Sequence, residues 1–203
     1  MIAPGAWLGV IGGGQLGRMF THAAQRLGYR VAVLDPDADC PAGAAADIHF
    51  IAHYDDAAGL QEVAHLCEAV TIEFENVPVA SLRELAAHCI VAPSAGCVAI
   101  AQDRATEKRF LMQCGLRVAD HAVITRAADL ECEATRHLLP GILKASRLGY
   151  DGKGQARVNN VEQLRAAFAA MGGVACVLEK LMPIEREISV VTVRSDRETV
   201  CYP

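Results

Sequence analysis

An apolar pentad, Trp7 to Ile11 (WLGVI), runs directly into Gly12-Gly13-Gly14. The next stretch, QLGRMFTHAAQRLG, carries Leu16, Met19, Phe20, Ala23, Ala24 and Leu27 at helical spacing before Gly28. Strand, glycine turn and helix follow one another. YRVAVLD then supplies a second strand ending in Asp35, AAGLQEVAHLC a helix, and AVTIEFEN a further strand. Such alternation predicts a parallel sheet covered by helices.

The pattern changes after IVAPSAG, where a short strand gives way to Pro93 and a helix-capping Ser94. Two helical stretches follow, AGCVAIAQ and RATEKRFLMQCG. From GILKAS onward the strands GILKAS, GQARV, VACVLEKLM and EISVVTVRSDRETVCYP look antiparallel, with one helix, NVEQLRAAFAAMG, between the second and third. The expectation is an α/β chain in two parts: a Rossmann-like parallel-sheet domain at 1–93 and an α+β domain at 94–203.

With 203 residues, 52% hydrophobic and 21% charged, the composition is that of a soluble globular protein. A formal charge of -5 and a pI near 5.8 argue against a nucleic-acid partner, which requires clustered Lys and Arg. The start lacks the pattern of a signal peptide, and its apolar run is too short to span a bilayer. No membrane association and a cytoplasmic location are expected. Cys40, Cys67, Cys89, Cys97, Cys114, Cys132, Cys176 and Cys201 form no CxxC pair, so zinc is not expected, and most of them read as small buried hydrophobes.

Gly12, Gly14 and Gly17 satisfy GxGxxG after a strand and at the opening of a helix, and Asp35 follows at a distance that suits a ribose. One reading is an NAD-dependent oxidoreductase. Another is that these glycines serve only a tight turn and close helix packing. Arg18 at the helix start suits a single phosphate as readily as a dinucleotide, and no hydride-transfer site is evident downstream.

A second constellation suits a nucleoside triphosphate. Arg104 and Lys108 lie four apart on one helix face. Lys144 sits at the end of an apolar strand, where an ammonium needs an anionic partner or an escape to solvent. In GYDGKGQ, Gly149, Gly152 and Gly154 give a backbone able to fold over phosphates, and Lys153 adds a compact charge. This is not a P-loop, since neither a helix nor Ser or Thr follows Lys153. Glu179 and Lys180 end an apolar strand, where an acceptor could take the donors of adenine or ribose. Taken singly, GYDGKGQ also reads as a hairpin turn and Glu179–Lys180 as a solvated pair.

The segments GVIGGGQLGRM, TIEFENVP, QDRATEKRFL, ILKASRLGYDGKGQ and EKLMPIEREISV, spread over nearly the whole chain, resemble the N5-carboxyaminoimidazole ribonucleotide synthetases. These are ATP-grasp enzymes of purine biosynthesis. The resemblance implies a pre-ATP-grasp domain followed by an ATP-grasp domain, and the conversion of 5-aminoimidazole ribonucleotide, ATP and bicarbonate into the N5-carboxylated product, ADP and phosphate. It implies ATP contacts from Arg104 and Lys144 and a lid formed by Gly149, Tyr150, Asp151, Gly152, Lys153, Gly154 and Gln155. Lys144 and Lys153 would stabilise the phosphoryl charge. Glu179, Lys180, Leu181, Met182 and Glu187 would hold adenine and ribose. The aminoimidazole ribonucleotide would meet Gly14, Gln15, Leu16, Glu73, Glu75 and Asn76, with Tyr150 and Asp151. The family pattern continues beyond RETVCYP with Mg²⁺ ligands and a further domain, so an incomplete ATP-grasp domain without metal ligands of its own is expected, inactive alone. A homodimer is expected for the longer form. A nucleotide-binding module without chemistry is the remaining alternative.

Overall fold

The computed structural model describes residues 2–149, 154–195 and 197–202. Five parallel strands form the first sheet in the order β3-β2-β1-β4-β5: β1 (Trp7–Ile11), β2 (Arg30–Leu34), β3 (Ile48–Phe50), β4 (Ala69–Ile72) and β5 (Ile90–Val91). Helices α1 (Gln15–Arg26), α2 (Ala57–Leu66), α3 (Val79–Leu85) and α4 (Ala95–Ala101) connect or cover them. The central strands are apolar on both faces, as parallel strands buried between helices must be. Ile11, Ala32, Leu34 and Val70 pack with Leu60, Val63, Leu82 and Leu85, and Val98 of α4 joins them. Val10, Val31 and Val33 turn to the other face and meet Ala24 of α1.

The second sheet is antiparallel, in the order β6-β9-β7-β8: β6 (His121–Ile124), β7 (Gly141–Ala145), β8 (Gln155–Val158) and β9 (Cys176–Lys180). Leu143, Leu178, Ile124 and Val158 pack against Leu164 and Phe168 of α7 (Val161–Ala170). Register sends Lys144 and Glu179 to the opposite face. Lys144 pairs with Val177 and Ile142 with Glu179, so the two charged side chains lie diagonally across one surface. Helix α5 (Arg104–Gln113) carries Lys108 to that surface.

Several elements differ from the sequence reading. β4 ends at Ile72, so Glu73 to Asn76 form a loop beyond the strand rather than its last residues. The terminal segment is a hairpin of β10 (Val191–Arg194) and β11 (Thr199–Tyr202), because the Ser195 hydroxyl accepts from Arg197 and Glu198 N–H and turns the chain. β3, α3, β6, the 3-10 turn at Ala127–Glu131 and the four-residue α6 (Glu133–Arg136) are additional, all too short for a periodic signal. Of the cysteines, Cys40, Cys67 and Cys176 are buried and Cys89 half-buried, but Cys97, Cys114, Cys132 and Cys201 are exposed and all eight are free thiols. Apolar flanks did not ensure burial. No described helix is long and apolar enough to cross a membrane.

Candidate active site

Strand order reverses between β1 and β4, and the crevice beyond their carboxyl ends is where open α/β sheets receive ligands. The glycine turn lies there. Gly12 has φ 110° and hands the chain to α1, whose first N–H groups point into the crevice. Those of Gly14 and Leu16 are already occupied. Glu73 accepts from Gly14 N–H through Oε2 and from Leu16 N–H through Oε1 at 3.2 Å, so its carboxylate sits at the helix N-terminus where an external anion would bind. A Cβ on Gly14 would lie 2.3 Å from Glu73 Oε1, which explains the glycine.

Asp35 is also engaged. Its carboxylate, 6% exposed, accepts from Gly13 N–H at 2.7 Å, Tyr54 Oη at 2.7 Å and Asp37 N–H at 2.9 Å. Burial, then the hydrogen bond to Asp35, pushes the Tyr54 phenol well above its ordinary range, so it remains a donor. The N–H groups of Gly13, Gly14 and Leu16 and the acid that would take a ribose are therefore all engaged within the protein. Arg18 points its Nε toward His22 at 3.4 Å on the exposed surface.

The loop from Glu73 to Asn76 borders a cavity of 350 Å³ with Phe74, Pro93, Cys97 and Ala101 among its walls. Glu75 is exposed and its Oε1 accepts from Asn76 Nδ2 at 3.2 Å. A second cavity, of 340 Å³, is lined by Arg104, Glu107, Ser146, Leu148 and Gly149. Glu75 and Ala101 are walls of both. Gly14, Leu16 and Glu73 are thus brought together, while Gln15 is exposed beside them.

On the second sheet, Lys144 Nζ lies 2.7 Å from Glu179 Oε2 and Lys108 Nζ 3.1 Å from Oε1. Burial raises the Glu179 carboxyl, but the hydrogen bonds and charges of the two lysines outweigh it and hold the group below its ordinary range. Arg104 anchors the chain that leads into the glycine segment. Its Nε donates to Ala145 O at 3.2 Å and its Nη2 to Gly149 O at 3.1 Å, while its own N–H donates to Ser146 O at 2.9 Å. Leu148, between them, has φ 61°, a left-handed backbone unusual for a bulky residue and one that turns the strand sharply into the glycines.

Gln155 pairs with Lys144 across β7 and β8, and Gly154 O accepts from Ala145 N–H at 2.7 Å. Tyr150, Asp151, Gly152 and Lys153 lie outside the described residues. Lys180 ends β9 and is exposed, Leu181 is half-buried, and Met182 and Glu187 are exposed on the segment before the hairpin, apart from the Lys144–Glu179 contact. The structure also places Lys108, Gln102 and Ser146 at the site, the last two unread in the sequence. Lys108 was legible as the i+4 neighbour of Arg104. Gln102 and Ser146 gave no signal beyond polarity within apolar surroundings.

Comparison with known proteins agrees with this arrangement. Residues 6–102 match the ribonucleotide synthetase pre-ATP-grasp domain and residues 109–203 the ATP-grasp domain. An N5-carboxyaminoimidazole ribonucleotide synthase of Brucella melitensis is 42% identical over 95% of this chain and 54% of its own length. One of Bacillus subtilis is 37% identical over 96% of this chain and 51% of its own. The Staphylococcus aureus N5-carboxyaminoimidazole synthetase complexed with ADP superimposes with a TM-score of 0.94 at 35% identity, covering 100% of this chain and 54% of that one. The Aspergillus clavatus enzyme in complex with ADP and 5-aminoimidazole ribonucleotide gives 0.87 at 29% identity, over 98% and 52%. The chain spans about half the length of the curated relatives it matches. A parallel sheet with a glycine turn, an antiparallel sheet bearing a lysine-clamped glutamate, and these two matched domains in series make the chain a ribonucleotide synthetase pre-ATP-grasp domain followed by an ATP-grasp domain, similar to half of an N5-carboxyaminoimidazole ribonucleotide synthase.

Proposed function

We propose that this chain contributes residues of both the ribonucleotide site and the nucleotide site to the ATP-dependent carboxylation of 5-aminoimidazole ribonucleotide by bicarbonate. The observation that carries the reading is the shared wall. The cavity of Glu73 and the cavity of Arg104 both include Glu75 and Ala101, so a carboxyl group activated on the nucleotide side has a short path to an amine on the other.

In this scheme a bicarbonate oxygen bonds to the γ-phosphorus of ATP and the bond from that phosphorus to the β-bridging oxygen breaks, releasing ADP. The substrate amine then bonds to the carboxyl carbon, the carbon–oxygen bond to phosphate breaks, and the amine sheds a proton. Lys144, with Arg104 nearby, offers positive charge to the phosphoryl oxygens. Lys153 of the glycine segment has the same role in this proposal. Glu179, kept ionised by Lys108 and Lys144, is an acceptor for adenine or ribose donors, with Lys180, Leu181, Met182 and Glu187 alongside. Glu73, facing the crevice with its carboxylate, suits the amine or hydroxyls of the ribonucleotide rather than its phosphate. Glu75 and Asn76 complete that side.

Among the described residues no group of three or more His, Cys, Asp or Glu is arranged to hold a metal, and no step is assigned to Mg²⁺. The proposed setting is cytoplasmic, with a homodimer as the working form. Parallel melting curves with MgADP, aminoimidazole ribonucleotide and NAD test the reading. Stabilisation by the first two and none by NAD is expected; a shift with NAD alone overturns it.

A further inference from the structure

The shared wall between the two cavities is held by one buried side chain. Gln102, 4% exposed at the end of α4, donates through Nε2 to Glu75 O and to Val77 O, each at 2.6 Å. Its Oε1 accepts from Arg147 Nη2 at 2.7 Å. Every hydrogen-bonding atom of this amide is therefore used, two bonds to the loop that follows β4 and one to the residue just past β7. Arg147 lies between Ser146, whose hydroxyl donates to Asp103 Oδ2 at 2.9 Å, and the strained Leu148. The loop bearing Glu73 and Glu75 and the turn that launches the glycine segment are joined through Gln102. A glutamate here could not supply the two donors, and a methionine could supply nothing.

We infer that Gln102, backed by Arg147, is a positioning residue for ribonucleotide binding: it fixes the Glu73–Val77 backbone so that the Glu73 and Glu75 carboxylates face the ligand. The inference rests on the proposed reading of the Glu73 cavity as the ribonucleotide side. It concerns placement only, since Gln102 reaches ligand through the backbone it holds. Arg147 sets the amide's orientation, because a guanidinium can only donate and therefore requires the oxygen, not the nitrogen, to face it.

The test compares the 203-residue chain with Gln102→Met, Gln102→Glu and Arg147→Met. Calorimetric titration with 5-aminoimidazole ribonucleotide and, separately, with MgADP is combined with hydrogen exchange of the backbone amides. Both Gln102 variants are expected to weaken ribonucleotide binding by about tenfold or more, since one buried and one part-buried carbonyl lose their donor. MgADP affinity should fall clearly less, since Gln102 also lines the cavity of Arg104 but both its donors are spent on the loop after β4. Exchange should quicken in 73–77 and stay unchanged in β7 and β9. Arg147→Met should give the same pattern more weakly. Unchanged ribonucleotide affinity, or an equal loss for both ligands, overturns the inference. Should the unaltered chain bind MgADP but not the ribonucleotide, the substrate reading fails. Exchange confined to 73–77 would then still support the positioning of the loop, and unaltered exchange there would overturn it.

Discussion

Lys144 Nζ and Glu179 Oε2 lie 2.7 Å apart, on side chains only 21% and 14% exposed, and Lys108 closes on the other carboxylate oxygen. Two ammonium groups against one carboxylate leave a net charge of +1 in a half-buried place. Such a cluster holds itself together without a ligand and still attracts an anion. Breaking one arm of a partly buried pair is costlier than its net worth to the fold, because the remaining charge is left uncompensated.

Lys144→Ala should therefore weaken MgADP binding by about 1.5–3 kcal/mol, the range for a hydrogen bond to a charged group. Lys108→Met should weaken it less, since Lys144 remains to hold Glu179. Calorimetric titration of the two variants checks the order. Equal losses would mean that the two lysines are not distinguished by the nucleotide.

Asp35→Asn should destabilise the fold by about 1–3 kcal/mol, because an acceptor of three donors is replaced by an amide that must point its own N–H groups at one of them. For a chain of this size that is a fall in Tm of about 2–4 °C for each kcal/mol. A thermal melt measures it. Wild-type stability would mean that the bonds from Gly13, Tyr54 and Asp37 are dispensable to the turn.

Acid stability should depend on Asp129. Hydrogen bonds from Thr125, first from its N–H, with Arg126 beside them, hold its carboxyl down to about 2. A depressed carboxyl contributes stability that is present above its unfolded value of about 3.9 and is lost as pH falls through its folded value. Asp129→Asn should flatten the stability curve between about 4 and about 2, and have little effect on its pH dependence near neutrality. Denaturant titrations across that interval decide the matter.

Thiol chemistry should divide the cysteines. An aromatic disulfide reagent should react in the native protein with Cys97, Cys114, Cys132 and Cys201, and reach Cys40, Cys67 and Cys176 only after denaturant is added. Burial pushes Cys67 up to about 12, so even transient opening leaves little thiolate there. Cys132 should be fastest, since hydrogen bonding with Thr135 lowers its thiol. Cys132→Ser should remove the first kinetic phase and no other.

Much of this was legible in the sequence, and the rest was hidden for identifiable reasons. The first strand, turn and helix carried a periodic signal long enough to be read, as did β7, β9 and α7. The occupant of the turn was not readable. Glu73 stands 59 residues from Gly14, and only the parallel pairing of β1 with β4 brings them together. Likewise Lys144 and Glu179 could each be singled out as unusual at a strand end, but their meeting depends on a register that neither local stretch encodes. Gln102 was least visible, because a polar residue at a helix end ordinarily faces water, and here the loop after β4 folds over it.

Glu73 at the head of α1 also bears on selectivity in a crowded solution of metabolites. A second anion forced to within about 4 Å of a carboxylate meets a repulsion of about 4 kcal/mol near a protein surface, roughly a thousandfold in affinity. A chain that shares its glycine signature with dinucleotide binders thus carries a permanent competitor for their pyrophosphate, tethered by its own backbone and present at full occupancy. A dinucleotide would have to displace that carboxylate to reach these N–H groups, whereas a ligand that arrives with hydrogens to give would meet an acceptor.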